Sequence, residues 1–247
     1  MNKVISTIDR LFMAVVGPSG CGKTDLIFKM LTKKTFYPAF ESIIYFYQHD
    51  QPKYYELEKQ LNIEFRKFSG FQLISQLENC LLIFDDSCED VFNDKEFSKL
   101  ATAGRHKNIS VIYVKHNLFQ QSKWSRTIDL NTSHIILFKS PRDVQQIAII
   151  GRQLDNANFL KESYDLAVKE PFGHLLIDIN PNTSDSLRFC SNLVPPGPSI
   201  FYIPPAKAVV TAIDNEKERA LYTEANAATL RRTTTLLSKE GSQRQFP

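Results

Sequence analysis

The sequence predicts an α/β fold with a mostly parallel central sheet, helices on both of its faces, and a C-terminal tail. Short β-branched and aromatic runs alternate with helical patterns through about residue 180. Most of those runs are almost wholly apolar, as strands covered on both faces are. The first run also leads into a glycine-rich turn that opens a helix. Alternating strands and helices imply parallel pairing through right-handed crossovers.

In chain order, the apolar run Phe12–Val16 reads as the first strand and Thr24–Leu31 as the helix after it. Ile43–Tyr47 is a second strand and Tyr54–Leu61 a second helix. Leu81–Asp86 is a strand whose last two residues are carboxylates. Asn93–Thr102 is helical, and Ile109–His116 and His134–Lys139 are strands. Pro141–Leu154 reads as a helix, with proline suited to the first turn and Val144, Ile147, Ile150 and Leu154 at helical spacing. Leu160–Lys169 is the last helix before the strand His174–Ile179. The prolines around Val194-Pro195-Pro196-Gly197-Pro198 mark a break, which divides the chain into a domain over 1–195 and an extension over 196–247. Beyond Thr211 the sequence is polar and Ala/Thr-rich. Glu216–Arg232 is helix-compatible, so the tail is expected to be partly helical and partly disordered.

Composition excludes several classes. With 43% apolar and 23% charged residues over 247 positions, the chain can bury a sizeable core. The net charge of +3 is too small to announce a nucleic-acid surface by itself. No apolar run approaches the ~18–20 residues that span a bilayer, so no membrane partner is expected. Asp9 and Arg10 before Leu11–Val16 make the start a poor signal peptide. Cys21, Cys80, Cys88 and Cys190 have no short metal spacing and read as reduced intracellular thiols.

Gly17-Pro18-Ser19-Gly20-Cys21-Gly22-Lys23-Thr24 matches G-x-x-x-x-G-K-[ST], with an apolar strand entering and an amphipathic helix leaving. Glycines let the backbone adopt positive φ and approach a ligand closely. Successive N–H groups and the helix N-terminus then face phosphate oxygens. Lys23 reaches the β and γ phosphates, and Thr24 offers its hydroxyl to Mg²⁺. The motif therefore makes this a P-loop NTPase fold, with ATP and Mg²⁺ as expected cofactors. About 60 residues later, Leu81-Leu82-Ile83-Phe84-Asp85-Asp86 puts two acids at the carboxyl end of a strand, where such folds bind ligands. Asp85 is the expected partner of the metal and Asp86 the expected base for the attacking water. Alone, the acids would equally suit a strand running into a polar loop; the lysine loop is what gives them a role. D-x-x-G and N-K-x-D are absent, which disfavours GTPase chemistry.

Two further segments leave alternatives open. Gly104 to Asn117 is a basic turn followed by a buried strand. Its end, His116 or Asn117, is either a sensor of the γ-phosphate or a solvated strand end. Leu137-Phe138-Lys139-Ser140-Pro141-Arg142-Asp143 ends a strand and starts a helix. Arg142 is either a surface charge or a finger that neutralises charge in a neighbour's site. Asp143 is expected in the first helical turn, complementing the dipole.

Taken in order, G-P-S-G-C-G-K-T (17–24), L-L-I-F-D-D (81–86), 104–119, 131–143 and P-F-G-H-L-L-I-D (171–178) resemble the DNA-packaging ATPases of poxvirus-like and Polinton/adintovirus-like viruses. That family lies within the FtsK–HerA superfamily of P-loop motors. The resemblance spans roughly residues 10–195. The first two motifs are generic, whereas the 104–119 and 131–143 blocks are much more specific. It implies that the sensor strand lies between the lysine-loop strand and the Asp85 strand. It implies ATP hydrolysis coupled to moving double-stranded DNA into a capsid, by a homo-oligomeric ring inside the host cell. Capsid or portal proteins are further candidate partners. By resemblance Arg142 is the best trans-acting arginine and Arg152 the second. The superfamily commonly has Gln at the end of the sensor strand; here His116 and Asn117 stand there. Arg105, His106, Lys107 and Lys123 are candidate phosphate contacts in the ring's pore. The alternatives from other classes are a P-loop nucleotide kinase, with Arg142 and Arg152 on its lid, and a nucleotide-gated scaffold without catalysis.

Overall fold

The structure is a computed structural model that describes residues 5–7, 10–33, 35–50, 52–61, 63–72, 74–85, 88–119 and 122–204. Asp86 and the tail beyond Pro204, including the expected helix over 216–232, lie outside the described residues.

The strands in chain order are β1 (Ile5–Ser6), β2 (Phe12–Val16), β3 (Phe36–Tyr37), β4 (Ser42–Tyr47), β5 (Ile63–Lys67), β6 (Cys80–Phe84), β7 (Ile109–Lys115), β8 (His134–Phe138), β9 (His174–Asp178), β10 (Phe189–Ser191) and β11 (Ile200–Tyr202). The helices are α1 (Lys23–Thr32), α2 (Pro52–Leu61), α3 (Cys88–Asn93), α4 (Lys95–Ala103), α5 (Ser125–Leu130), α6 (Val144–Gln153) and α7 (Ala157–Ala167). β1 and β3 pair in a small parallel sheet. The other nine strands form one sheet in the order β11-β10-β9-β8-β2-β7-β6-β4-β5.

The six strands from β5 to β8 run parallel. β7 lies between β2 and β6, the arrangement that the resemblance implies. Period-2 alternation sends β2's side chains to both faces. Met13 and Val15 pack with Leu26, Ile27 and Met30 of α1. Phe12, Ala14 and Val16 face the opposite layer, with Phe97 of α4 and Ile147 and Leu160 of α6 and α7. Both faces of the sheet are therefore covered by helices.

The sheet is mixed, however. β9 pairs antiparallel with β8, and β10 and β11 continue antiparallel. The reason lies between β8 and β9. One crossover helix would return the chain to the far end of the sheet and make β9 parallel. Two helices, α6 and α7, intervene instead, so the chain comes back to the end it left. They approach so closely that a Cβ on Gly151 would stand 2.6 Å from Ala157 Cα.

Smaller differences also have local causes. The helix expected over Asn93–Thr102 is α4, which starts two residues later at Lys95 because Asp94 caps it by accepting from Glu96 N at 2.7 Å; a separate short helix, α3, precedes it. Helix α6 starts at Val144, not Pro141: Pro141 and Arg142 form a turn, and the buried Asp143 is the N-cap and not a first-turn residue. The Pro-Pro-Gly segment read as a domain boundary joins β10 to β11, where Asn192 Nδ2 donates to Pro198 O at 2.7 Å. The compact unit runs through Pro204. Among the described residues, no helix is long and apolar enough to cross a membrane.

Candidate functional site

β2 ends at Val16, and the chain turns over the carboxyl end of the parallel strands. Gly17 N donates to Lys115 O at 3.1 Å, which ties the turn to the end of β7. There is no room for a side chain at Gly17: a Cβ would sit 2.7 Å from Phe138 Cβ and 2.8 Å from Cys21 Sγ. Gly22, with φ +98°, is the N-cap of α1 and occupies a region that L side chains rarely adopt. Among the described residues, no side chain caps this ten-residue helix. Its first-turn N–H groups therefore face the loop, where an anion is favoured.

Lys23 is only 7% exposed. Its ammonium donates to Gly17 O at 2.8 Å and Pro18 O at 2.9 Å, so the loop wraps around the charge. Beside it, Thr24 Oγ1 donates to Asp85 Oδ2 at 2.6 Å. Asp85 follows β6 directly and is 4% exposed. Residues 61 positions apart thus meet because β7 alone separates β2 from β6. Pro18, Ser19 and Gly20 are exposed, whereas Cys21 is half-buried and its thiol is pushed up by burial.

The same Asp85 oxygen accepts from the phenol of Tyr45, in β4 next to β6. Tyr45 is fully buried and stacks on Phe28 with ring centroids 5.2 Å apart. Burial, then the Asp85 charge, raises the phenol's pKa well above its ordinary value. It stays protonated and remains a donor. Its contact with Asp85 was not read from the sequence. A tyrosine inside an otherwise apolar strand was the available signal, but the pairing of β4 with β6 was not. Tyr45→Phe removes one charge-assisted donor and is expected to lower unfolding free energy by about 1.5–3 kcal/mol. Urea denaturation checks this; an unchanged midpoint would mean that the carboxylate does not depend on the phenol.

The other expected site residues are placed as follows. β7 ends at Lys115, which is buried and donates to Asp129 Oδ1 at 2.8 Å. His116 and Asn117 follow it, exposed, next to the start of the loop. Arg142 is exposed in the turn after β8 and makes no hydrogen bond or ion pair among the described residues. Arg152 is exposed in the last turn of α6. The basic residues expected in the pore fall on both sides of β7 in the chain. Arg105, His106 and Lys107 precede β7 at the end of the sheet opposite the loop, while Lys123 follows it. The seven-residue strand between the two segments is about 20 Å long.

The donor set fits a metal–triphosphate complex. A hydroxyl and a carboxylate side by side are hard oxygen donors of the kind that hold Mg²⁺. A buried ammonium, flexible glycines and an uncapped helix start suit phosphate oxygens.

No protein-family model matches the chain, and a search of curated proteins finds none that matches. Among solved structures it is similar to the genome packaging NTPase B204 from Sulfolobus turreted icosahedral virus 2 in complex with AMPPCP. That likeness has a TM-score of 0.50 and 14% identity, over 80% of this chain and 99% of the other. The sulfate complex of the same protein gives a TM-score of 0.49 at 12% identity, over 81% and 98%. B204 from Sulfolobus turreted icosahedral virus, described as a DNA-packaging ATPase, gives 0.47 at 13%, over 83% and 100%. At such identity, the AMPPCP complex shows a shared fold.

Proposed function

We propose that this chain is an ATP-hydrolysing motor that moves double-stranded DNA into a viral capsid. The observation that carries the reading is the meeting of Lys23, Thr24 and Asp85 at the carboxyl ends of neighbouring parallel strands. The fold shared with a genome packaging NTPase and the resemblance of segments 104–119 and 131–143 to packaging ATPases support it.

In this reading the amides of residues 17–24 and the Lys23 ammonium bind the β and γ phosphates. Thr24 and Asp85 would hold Mg²⁺, which would supply charge neutralisation at the phosphates; ATP and water become ADP and phosphate. Asp86 takes a proton from the attacking water. His116 leaves the sheet beside Gly17 and contacts the γ-phosphate. Arg142, exposed in the turn after β8, enters the site of the next copy in a ring. Lys123 lies at the same sheet end as the loop and grips DNA phosphates; Arg105, His106 and Lys107 grip at the opposite end. The ring acts inside the host cell where capsids assemble, and capsid or portal proteins complete it.

The testing experiment is ATP turnover during a duplex-DNA titration at two salt concentrations. Turnover should rise with DNA, and the half-saturating DNA concentration should increase with salt. Turnover indifferent to DNA, with faster phosphoryl transfer to a nucleoside monophosphate than to water, would favour a kinase instead. A second outcome follows from the ring. Adding Arg142→Ala subunits to wild-type subunits should lower activity more than in proportion to their share. A linear mixing curve would place the arginine within its own subunit's chemistry or outside chemistry altogether.

A further inference from the structure

A cavity of about 300 Å³ adjoins the phosphate loop, lined in part by Gly22, Asp25, Lys29, Phe138, Phe172 and His174. Thr24 and Asp85 mark the β7–β6 side of the loop. Phe138 ends β8 and His174 starts β9, so the cavity lies on the other side. A nucleotide with its γ end at the Thr24–Asp85 pair would extend its opposite end toward this cavity.

Two side chains in it are otherwise unexplained. Phe172 is 69% exposed, yet has φ +62°, in the left-handed region that bulky residues avoid. Its ring is held against the start of α1: a Cβ on Gly22 would stand 3.1 Å from Phe172 Cδ1. Costly backbone geometry here presents an aromatic face beside the phosphate loop. His174 is 9% exposed. Its Nδ1 lies 3.2 Å from Phe172 O, an atom that only accepts. The proton of the neutral ring therefore sits on Nδ1, and Nε2 carries a lone pair. That buried Nε2 has no hydrogen-bond partner among the described residues. Burial, more than the nearby Lys29 charge, lowers the imidazole's pKa and keeps the ring neutral.

We propose that this cavity receives a purine base that stacks on Phe172 and donates from its exocyclic amine to His174 Nε2. The inference rests on the nucleotide reading of residues 17–24. It assigns selectivity for ATP over a nucleotide with a carbonyl at the same ring position, because an acceptor facing Nε2 leaves both lone pairs unmatched.

The test compares the Mg²⁺ complexes of ATP, ITP and tripolyphosphate by titration calorimetry on the full chain. Wild type should bind ATP more tightly than ITP and both more tightly than tripolyphosphate, which has no base. Phe172→Ala, at an exposed position, should weaken ATP about tenfold or more and leave tripolyphosphate unchanged. His174→Gln, whose amide offers a donor as well as an acceptor, should shrink the ATP-to-ITP ratio. Wild-type ATP affinity in Phe172→Ala, or equal affinity of wild type for ATP and ITP, overturns the base site while tripolyphosphate binding keeps the phosphate site. Tripolyphosphate affinity indifferent to Lys23→Ala overturns the phosphate reading, and the base site with it.

Discussion

Replacing Lys23 with alanine is expected to lower kcat/KM for ATP by about 10²–10³-fold, the range for removing one preorganised charge-stabilising donor. The side chain occupies a special place. It is almost fully buried, and two of its three donors are fixed on Gly17 and Pro18 carbonyls. The ammonium is thus held over the loop before any phosphate arrives, which reduces the reorganisation needed during reaction. Alanine removes the charge and also the internal clamp, so the loss should appear in both nucleotide affinity and turnover. Circular dichroism and a denaturation curve separate this from unfolding. A folded Lys23→Ala protein with undiminished turnover would remove the lysine from the chemistry.

The second large effect is at Asp85. Asp85→Asn keeps the shape but removes the only carboxylate that the described residues bring to Thr24. Turnover should fall by about 10²-fold or more, comparable to losing a charge that organises the metal and the transferring phosphoryl group. Raising Mg²⁺ should recover part of it, because the defect is in metal affinity. Lys23→Ala should show no such recovery. If Asp85→Asn is fully active at ordinary Mg²⁺, the carboxylate is a structural acceptor for Thr24 and Tyr45 and nothing more.

These residues were legible in the sequence because their chemistry is local. A loop that must expose consecutive amides needs glycines at fixed intervals, and acids at the end of an apolar run mark a strand's carboxyl end. The positions of β2, β6 and β7 followed from apolar runs covered on both faces. Edge strands were harder. β5, with Glu64, Arg66 and Lys67 among its five residues, is half-exposed and looks like a loop unless its period-2 alternation is counted. The direction of β9 was harder too: both helices between β8 and β9 are legible in the sequence, but strand–helix alternation alone implies parallel pairing, whereas the pair α6 and α7 brings the chain back to the end it left. Tyr45 belongs to a different class. It meets Asp85 through a strand neighbour far away in sequence, so its partner appears only once the sheet order is known. Phe172 sits in a Pro-Phe-Gly turn whose positive φ falls on the aromatic, where the sequence pattern points to the glycine.

The central claim is that the loop at 17–24 and Asp85 converge on one metal–triphosphate complex. Electron–nuclear double resonance on the full chain, with Mn²⁺ in place of Mg²⁺ and ATPγS as the nucleotide, tests it directly. Phosphorus couplings at the bound metal, with metal affinity reduced in both Asp85→Asn and Thr24→Val, are the predicted result. Manganese that binds both variants as tightly as wild type, with the same spectrum, would contradict it.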